Sequence, residues 1–215
     1  ERVFYCPKGT PMTDPSREAF ENTYPAAAAD WHDGIQNYVA FAAHYEPQLR
    51  VINLTRDSGA DSLAHEWAHG LDHYMAQVTF SADQQFKSPT TLITDVMVDV
   101  AAKTHRPALQ RQLSLLMQEF GRSQDNAFYQ AALRIEALKG ARKSYWQTPS
   151  ALWARSFNAY VQDALSAKGE SSPWLVHGTR TRDQHDPLVS AYPDGEQRQR
   201  LQQLWSACME VLRGG

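Results

Sequence analysis

The sequence predicts an α+β domain, mostly α, with a small sheet beside one central helix. Apolar residues recur at three- and four-residue steps through most of the chain after residue 61, the period of amphipathic helices. One short alternating, β-branched run, Val51-Ile52-Asn53-Leu54-Thr55, comes just before the first long helix and reads as a strand. The 215 residues suit a single domain, 1–215, able to bury a core without disulfide or metal staples.

The elements follow in order. The first 48 residues mix prolines, glycines and polar residues with few periodic runs and read as loops with short elements, residues 1–32 being an irregular N-terminal segment. Tyr38-Val39-Ala40-Phe41-Ala42 reads as a short strand. After Val51–Thr55, Arg56-Asp57-Ser58-Gly59 makes a turn, and a helix spans 62 to about 77. Asp61 or Ser62 can cap it, and Leu63, Trp67, Leu71, Tyr74, Met75 and Val78 form its core-facing stripe. Gly70 costs about 1 kcal/mol there relative to alanine, which close packing against a neighbour would explain. Thr91–Thr104 is apolar at helical spacing, Pro107 opens a helix that Gly121 closes, and Ser123 starts another that ends at Gly140. Pro149 opens a helix through Leu152, Phe157, Val161 and Leu165 to about Lys168. Residues 170–193 form a long loop, and Asp194 caps a final helix carrying Leu201, Leu204, Trp205, Met209 and Leu212 on one side.

Composition removes several function classes. The net charge is −3 with no long run of one sign, so no nucleic-acid surface is expected. No apolar run approaches the ~20 residues of a membrane span. Two cysteines, Cys6 and Cys208, are too few for a disulfide framework or a cysteine zinc site, and their pairing stays open. The chain starts at Glu1 without a signal peptide, so it is expected to be a processed product or part of a larger polypeptide.

Residues 65–69 carry the chemistry. His65-Glu66-Trp67-Ala68-His69 is an H-E-x-x-H pattern. On a helix, positions i and i+4 share a face, so both imidazoles can reach one Zn2+ ion. Glu66 beside them can take a proton from a zinc-bound water. The bland alternative is a surface helix with two solvated histidines, and the apolar stripe through the motif argues against it.

Two stretches resemble a known family. His44-Tyr45-Glu46-Pro47, Val51–Thr55 and Leu63–Asp72 look like the large polyvalent protein-associated metallopeptidase-like domain of phage and conjugative-element proteins. Tyr145-Trp146, Trp153–Val161, Pro173-Trp174-Leu175-Val176 and Tyr192–Glu196 follow in the same order, so the resemblance covers about residues 33 to 212. The site is also similar to gluzincin-type zinc peptidases such as anthrax lethal factor. The resemblance implies a zincin-like fold, His65 and His69 as zinc ligands, Glu66 as general base and Tyr145 as oxyanion donor. It implies a protein or peptide substrate, and the cytoplasm of a bacterial host or recipient cell as its place. Val51–Thr55 would then be an edge strand on which a substrate pairs, and the loop from Glu170 to Pro193 a cover for the cleft.

One position departs from the family. The third zinc ligand of such enzymes is a glutamate just before a Phe-Ala run; here that run is Leu152-Trp153-Ala154, and the position reads Ala151. A second acidic position of the family is Asn158. A catalytic zinc takes three protein ligands and a water, and a methyl group binds no metal. Replacement ligands would have to come from Asp72, Asn158, His73, His44 or His177; Asp72 suits a supporting role better, because it lies a further turn along the helix. Arg155 and Tyr160 are expected to be structural or substrate-facing. The sequence therefore points to a zinc metallopeptidase hydrolysing peptide bonds. The alternative is a decayed metallopeptidase-like domain acting as a protein-binding module.

Overall fold

The computed structural model describes residues 2–6, 43–55, 62–80, 91–96, 104, 106–139, 145–181 and 190–214. Three strands come first: β1 (Arg2–Cys6), β2 (Ala43–Glu46) and β3 (Val51–Thr55). Six helices follow among the described residues: α1 (Leu63–Thr79), α2 (Ile93–Val96), α3 (Pro107–Gln118), α4 (Ala127–Lys139), α5 (Pro149–Ala167) and α6 (Gly195–Gly214). This is α+β, mostly α, as the periodicity indicates.

The sheet corrects two expectations. Its order is β1-β3-β2, so Val51–Thr55 is the central strand and not an edge. β1 runs parallel to β3 with Arg2 opposite Val51 and Cys6 opposite Thr55. β2 runs antiparallel, with Ala43 opposite Leu54 and Glu46 opposite Val51. A strand therefore stands inside the N-terminal segment that composition reads as irregular. The strand expected at Tyr38–Ala42 lies outside the described residues; the described strand there is Ala43–Glu46. Residues 47–50 turn β2 into β3 with Arg50 in left-handed backbone (φ 55°).

α1 is the spine of the fold. Ser62 sits at its N-cap position without a side-chain cap bond. The Ala64 N–H, which has no partner within the helix, donates instead to the Leu175 carbonyl at 3.0 Å. The buried face runs through Ala64, Ala68, Leu71, Asp72, Met75, Ala76 and Thr79. Tyr74, expected in the core stripe, is 49% exposed. Small residues on this face let neighbours approach closely. A Cβ added at Gly70 would lie 3.0 Å from Tyr45 Cε2, so the glycine makes room for the β2 tyrosine ring.

The other helices close the core. α3 begins with Pro107 and buries Leu109, Leu113 and Leu116. α4 begins at Ala127 rather than Ser123, because Asn126 acts as its cap: its Oδ1 accepts from Tyr129 N at 3.1 Å, and its Nδ2 donates to the Glu119 and Gly121 carbonyls. α2 places Ile93, Thr94 and Val96 in the interior; the remainder of the expected Thr91–Thr104 helix falls mostly outside the described residues.

α5 starts from Thr148, whose Oγ1 accepts from Ala151 N at 3.2 Å. It ends in a Schellman turn: Gly169 (φ 71°) donates to Ser166 O and Glu170 to Leu165 O. Trp153 locks α5 to α1 by donating from Nε1 to the Ala68 carbonyl at 2.9 Å. α6 packs Leu201, Trp205 and Cys208 on the same core, with the Trp153 and Trp205 rings 4.4 Å apart. Cys208 is a free, buried thiol. No described helix is long and apolar enough to cross a membrane.

Candidate active site

His65 and His69 stand one turn apart on α1, with ring centroids 5.0 Å apart and planes at 78°. The start of α5 lies against them. Tyr145 Oη is 3.3 Å from His65 Nε2, and Ser150 Oγ is 3.2 Å from His69 Nδ1. Thr148 shapes this approach: its hydroxyl donates to the Tyr145 carbonyl at 2.8 Å while accepting from Ala151 N. The structure brings His65, His69 and Tyr145 side by side, and Ser150, which no sequence signal marked, joins them.

Electrostatics favour a neutral His65 imidazole. Burial, then His69, then the Arg155 charge hold His65 well below the usual histidine range. Glu66 is buried, and burial pushes its carboxyl up to about 7, against a backbone N–H bond from Tyr45 on β2. That value suits a general base near neutrality. Tyr145 is 46% exposed overall. Burial of its hydroxyl and the nearby Glu66 charge raise its pKa, so it remains a hydrogen-bond donor.

Of the candidate replacement ligands, Asp72 and His73 are engaged by other partners. Asp72 is fully buried; its Oδ1 accepts from Thr94 N and its Oδ2 from Thr94 Oγ1, each at 3.0 Å. Burial pushes this carboxyl up to about 7 against those bonds. His73 Nδ1 pairs with the Thr91 carbonyl at 2.9 Å, and its ring stacks on Tyr45 at 5.7 Å. Asn158 is buried in α5 with Oδ1 unpaired, two turns after Ala151. His177 is exposed on the 170–181 segment. The side chain of His44 lies outside the described residues.

Arg155 is the strongest feature the sequence left undecided, and it is structural. It is 3% exposed, and its donors clamp three carbonyls: Nε to Ala151 at 3.1 Å, Nη1 to Ala191 at 2.7 Å, and Nη2 to Trp146. The guanidinium carbon lies 5.1 Å from the Phe128 ring centroid and 5.0 Å from that of Trp146. Burial lowers its pKa to about 10, so it stays charged at neutral pH. It fixes the 145–151 approach and puts a permanent cation beside His65. Tyr160, also left undecided, packs against both Phe157 and Trp205. Trp174 is exposed, while its neighbour Leu175 touches the start of α1.

The two imidazoles, on one face of α1, fit a zinc ion as two of its ligands. Ala151, buried completely beside Ser150, offers no third, and no cluster of three His, Cys, Asp or Glu side chains suited to a metal occurs among the described residues. The donor set therefore meets two of the three protein positions a catalytic zinc takes.

No curated protein and no solved structure matches the chain. Residues 137–214, which hold Tyr145, Ser150, Ala151, Arg155, α5 and α6, match the family described as large polyvalent protein-associated domain 1; α1 and its histidines lie outside the match.

Proposed function

We propose that the chain is a zinc-peptidase-type domain, zincin-like in fold, that engages a protein or peptide at the His65–His69 face. The observation that carries this reading is the contact between His65 Nε2 and Tyr145 Oη at 3.3 Å, which joins residues 80 positions apart. It sets a hydroxyl donor against the two-histidine, one-glutamate constellation that peptide hydrolysis uses. The match of residues 137–214 supports an origin in the large polyvalent proteins of phages and mobile elements.

A zinc ion held by His65 and His69 would supply an acidified water, with a pKa near ~7. The chain's own residues do the rest. Glu66 accepts a proton on a carboxylate already balanced near neutrality. The Tyr145 hydroxyl donates a hydrogen bond to the oxygen that gains charge at the scissile carbonyl. With β3 in the middle of the sheet, substrate pairing shifts to β2, whose Tyr45 backbone N–H reaches Glu66.

Ala151 and the Arg155 cation favour a second reading, a domain of the same ancestry that binds a protein in this groove without cutting it. Peptide-library cleavage with zinc present separates the two. Cleavage abolished by Glu66→Gln supports hydrolysis. Peptide binding without cleavage, equal in the parent and in Glu66→Gln, supports the binding module.

A further inference from the structure

We propose that the hollow between α1 and the β2–β3 turn is a side-chain subsite for a bound peptide. It takes a bulky aliphatic or aromatic residue, and Arg50 receives an acidic residue beside it. The hollow measures about 410 Å³, with Tyr45, Trp67, His73 and Tyr74 among its walls and Arg50 and Gln77 as its polar groups. Size and lining both match ligand sites, which are mostly apolar with a few placed polar groups. The sequence builds the hollow along one helix face. Trp67, Gly70, Tyr74 and Gln77 recur at three- and four-residue steps on α1. His65 and His69 belong to a different face, and Glu66 lies between the two. Gly70 lets the Tyr45 ring sit close to the helix, and that ring is held in place by stacking on His73 at 5.7 Å. Tyr74 stands exposed, so this wall opens to solvent.

Two observations select the occupant. Tyr45 belongs both to the hollow and to β2, the edge strand of the sheet. A peptide strand added along β2 therefore passes the hollow and can turn alternate side chains toward it. Arg50 is the second observation. It is exposed and holds a φ of 55°, a conformation that residues other than glycine seldom adopt. Glycine would make the same turn without steric cost, yet a cation stands there. Its Nη2 donates to the neutral Gln77 Oε1 at 3.2 Å, and no carboxylate pairs with it among the described residues. An apolar side chain in the hollow next to a carboxylate on Arg50 satisfies both features. This inference deepens the peptide engagement proposed above and rests on it.

A displayed library of random peptides, selected on the metal-free chain, tests the subsite. Selected peptides should share a large aliphatic or aromatic residue next to Asp or Glu. In fluorescence polarisation with one such peptide, Tyr74→Ala should weaken binding by about 5–10-fold. The parent should prefer the acidic peptide over its amide by about 3–5-fold, the scale of an exposed ion pair. Arg50→Gly and Arg50→Asn should lose that preference, and Arg50→Lys should keep it. Both Gly and Asn tolerate the left-handed backbone, so thermal unfolding at or above the parent's temperature shows that the loss is not one of fold. Selected peptides without the apolar–acidic pair, or binding unmoved by Tyr74→Ala and Arg50→Gly, overturn the subsite. Binding that then falls in His65→Ala and His69→Ala keeps the histidine face as the peptide site. Binding that needs Tyr74 and Arg50 but is indifferent to both histidines, with no cleavage when zinc is added, keeps the subsite and removes the peptidase reading. A library that yields no binder overturns both.

Discussion

The indole of Trp153 on α5 donates to the backbone carbonyl of Ala68 at 2.9 Å, inside the H-E-x-x-H segment of α1. Both residues are fully buried, and Ala68 presents only a methyl, so the indole reaches the backbone of the histidine helix. The bond fixes how α5 sits on α1, and therefore where Tyr145 and Ser150 meet His65 and His69.

Trp153→Phe removes the donor and leaves a gap beside Trp205. The expected loss is about 2–3 kcal/mol, from the hydrogen bond and the missing ring volume together. Urea unfolding should show a lower midpoint with an unchanged slope. A midpoint equal to that of the parent would mean that Trp153 does not lock the two helices.

Gly70→Ala tests the β2–α1 contact. Alanine raises helix propensity by about 1 kcal/mol, but its Cβ would meet the Tyr45 ring at 3.0 Å. Tyr45 is buried and stacked on His73, so the ring has little room to move. Overpacking of this kind costs about 1–3 kcal/mol. The expected net effect is a destabilisation of about 1 kcal/mol, which the double variant with Tyr45→Leu should relieve in thermal unfolding.

Asp163 and Arg198 should give the fold an acid-sensitive contact. Arg198 is buried, and its Nε and Nη2 reach the two Asp163 oxygens at 2.7 and 2.9 Å. Burial opposes the Asp163 charge, but the Arg198 bonds and the Arg198 and Arg180 charges win, so its pKa is lowered. A lowered carboxyl contributes stability that is present above its unfolded pKa near 3.8 and is lost as pH falls through the folded value. Asp163→Asn should cost about 2 kcal/mol at neutral pH. Its unfolding midpoint should also depend less on pH in the acid range than that of the parent, measured between pH 6 and pH 3 on the order of half-unit steps.

Cys208 is expected to be unreactive while the chain is folded. Its thiol is buried, and burial pushes its pKa up to about 12, so almost no thiolate exists at neutral pH. Alkylation rates at this residue should match the rate of unfolding. Rapid labelling of native protein at Cys208 would contradict the packing of α6.

Much of this was legible in the sequence where a local signal stood alone. Pro107 and Pro149 at helix starts and the close approach at Gly70 each follow from one residue's geometry, and the i, i+4 spacing of His65 and His69 puts both rings on one helix face; each is seen in the fold. The sheet order was not legible. β1 is five residues in a proline-rich segment, and its parallel partner lies 49 positions on, from Arg2 to Val51, so nothing local signals the pairing. Ser123 and Asn126 are both good caps, and only the bonds from Asn126 back to Glu119 and Gly121 choose between them. Arg155 carried a sign that could have been weighed more heavily: a lone cation inside Leu152-Trp153-Ala154-Arg155-Ser156-Phe157 has no solvent-facing stripe to occupy. Ser150 carried none, since a serine in a helix's first turn is ordinary.

Zinc titration of the parent and of Ala151→Glu tests the central claim most directly, that His65 and His69 form a metal site lacking one anionic ligand. The parent should bind zinc weakly. Ala151→Glu should bind it more tightly by more than about 100-fold, because a direct ligand outweighs the 10–100-fold carried by supporting residues. Zinc should also raise the unfolding temperature of that variant, and His69→Ala should abolish both effects. Tight stoichiometric zinc in the parent, unchanged by Ala151→Glu, would show that another residue already completes the site. Zinc binding indifferent to His65→Ala and His69→Ala would contradict the account at its root.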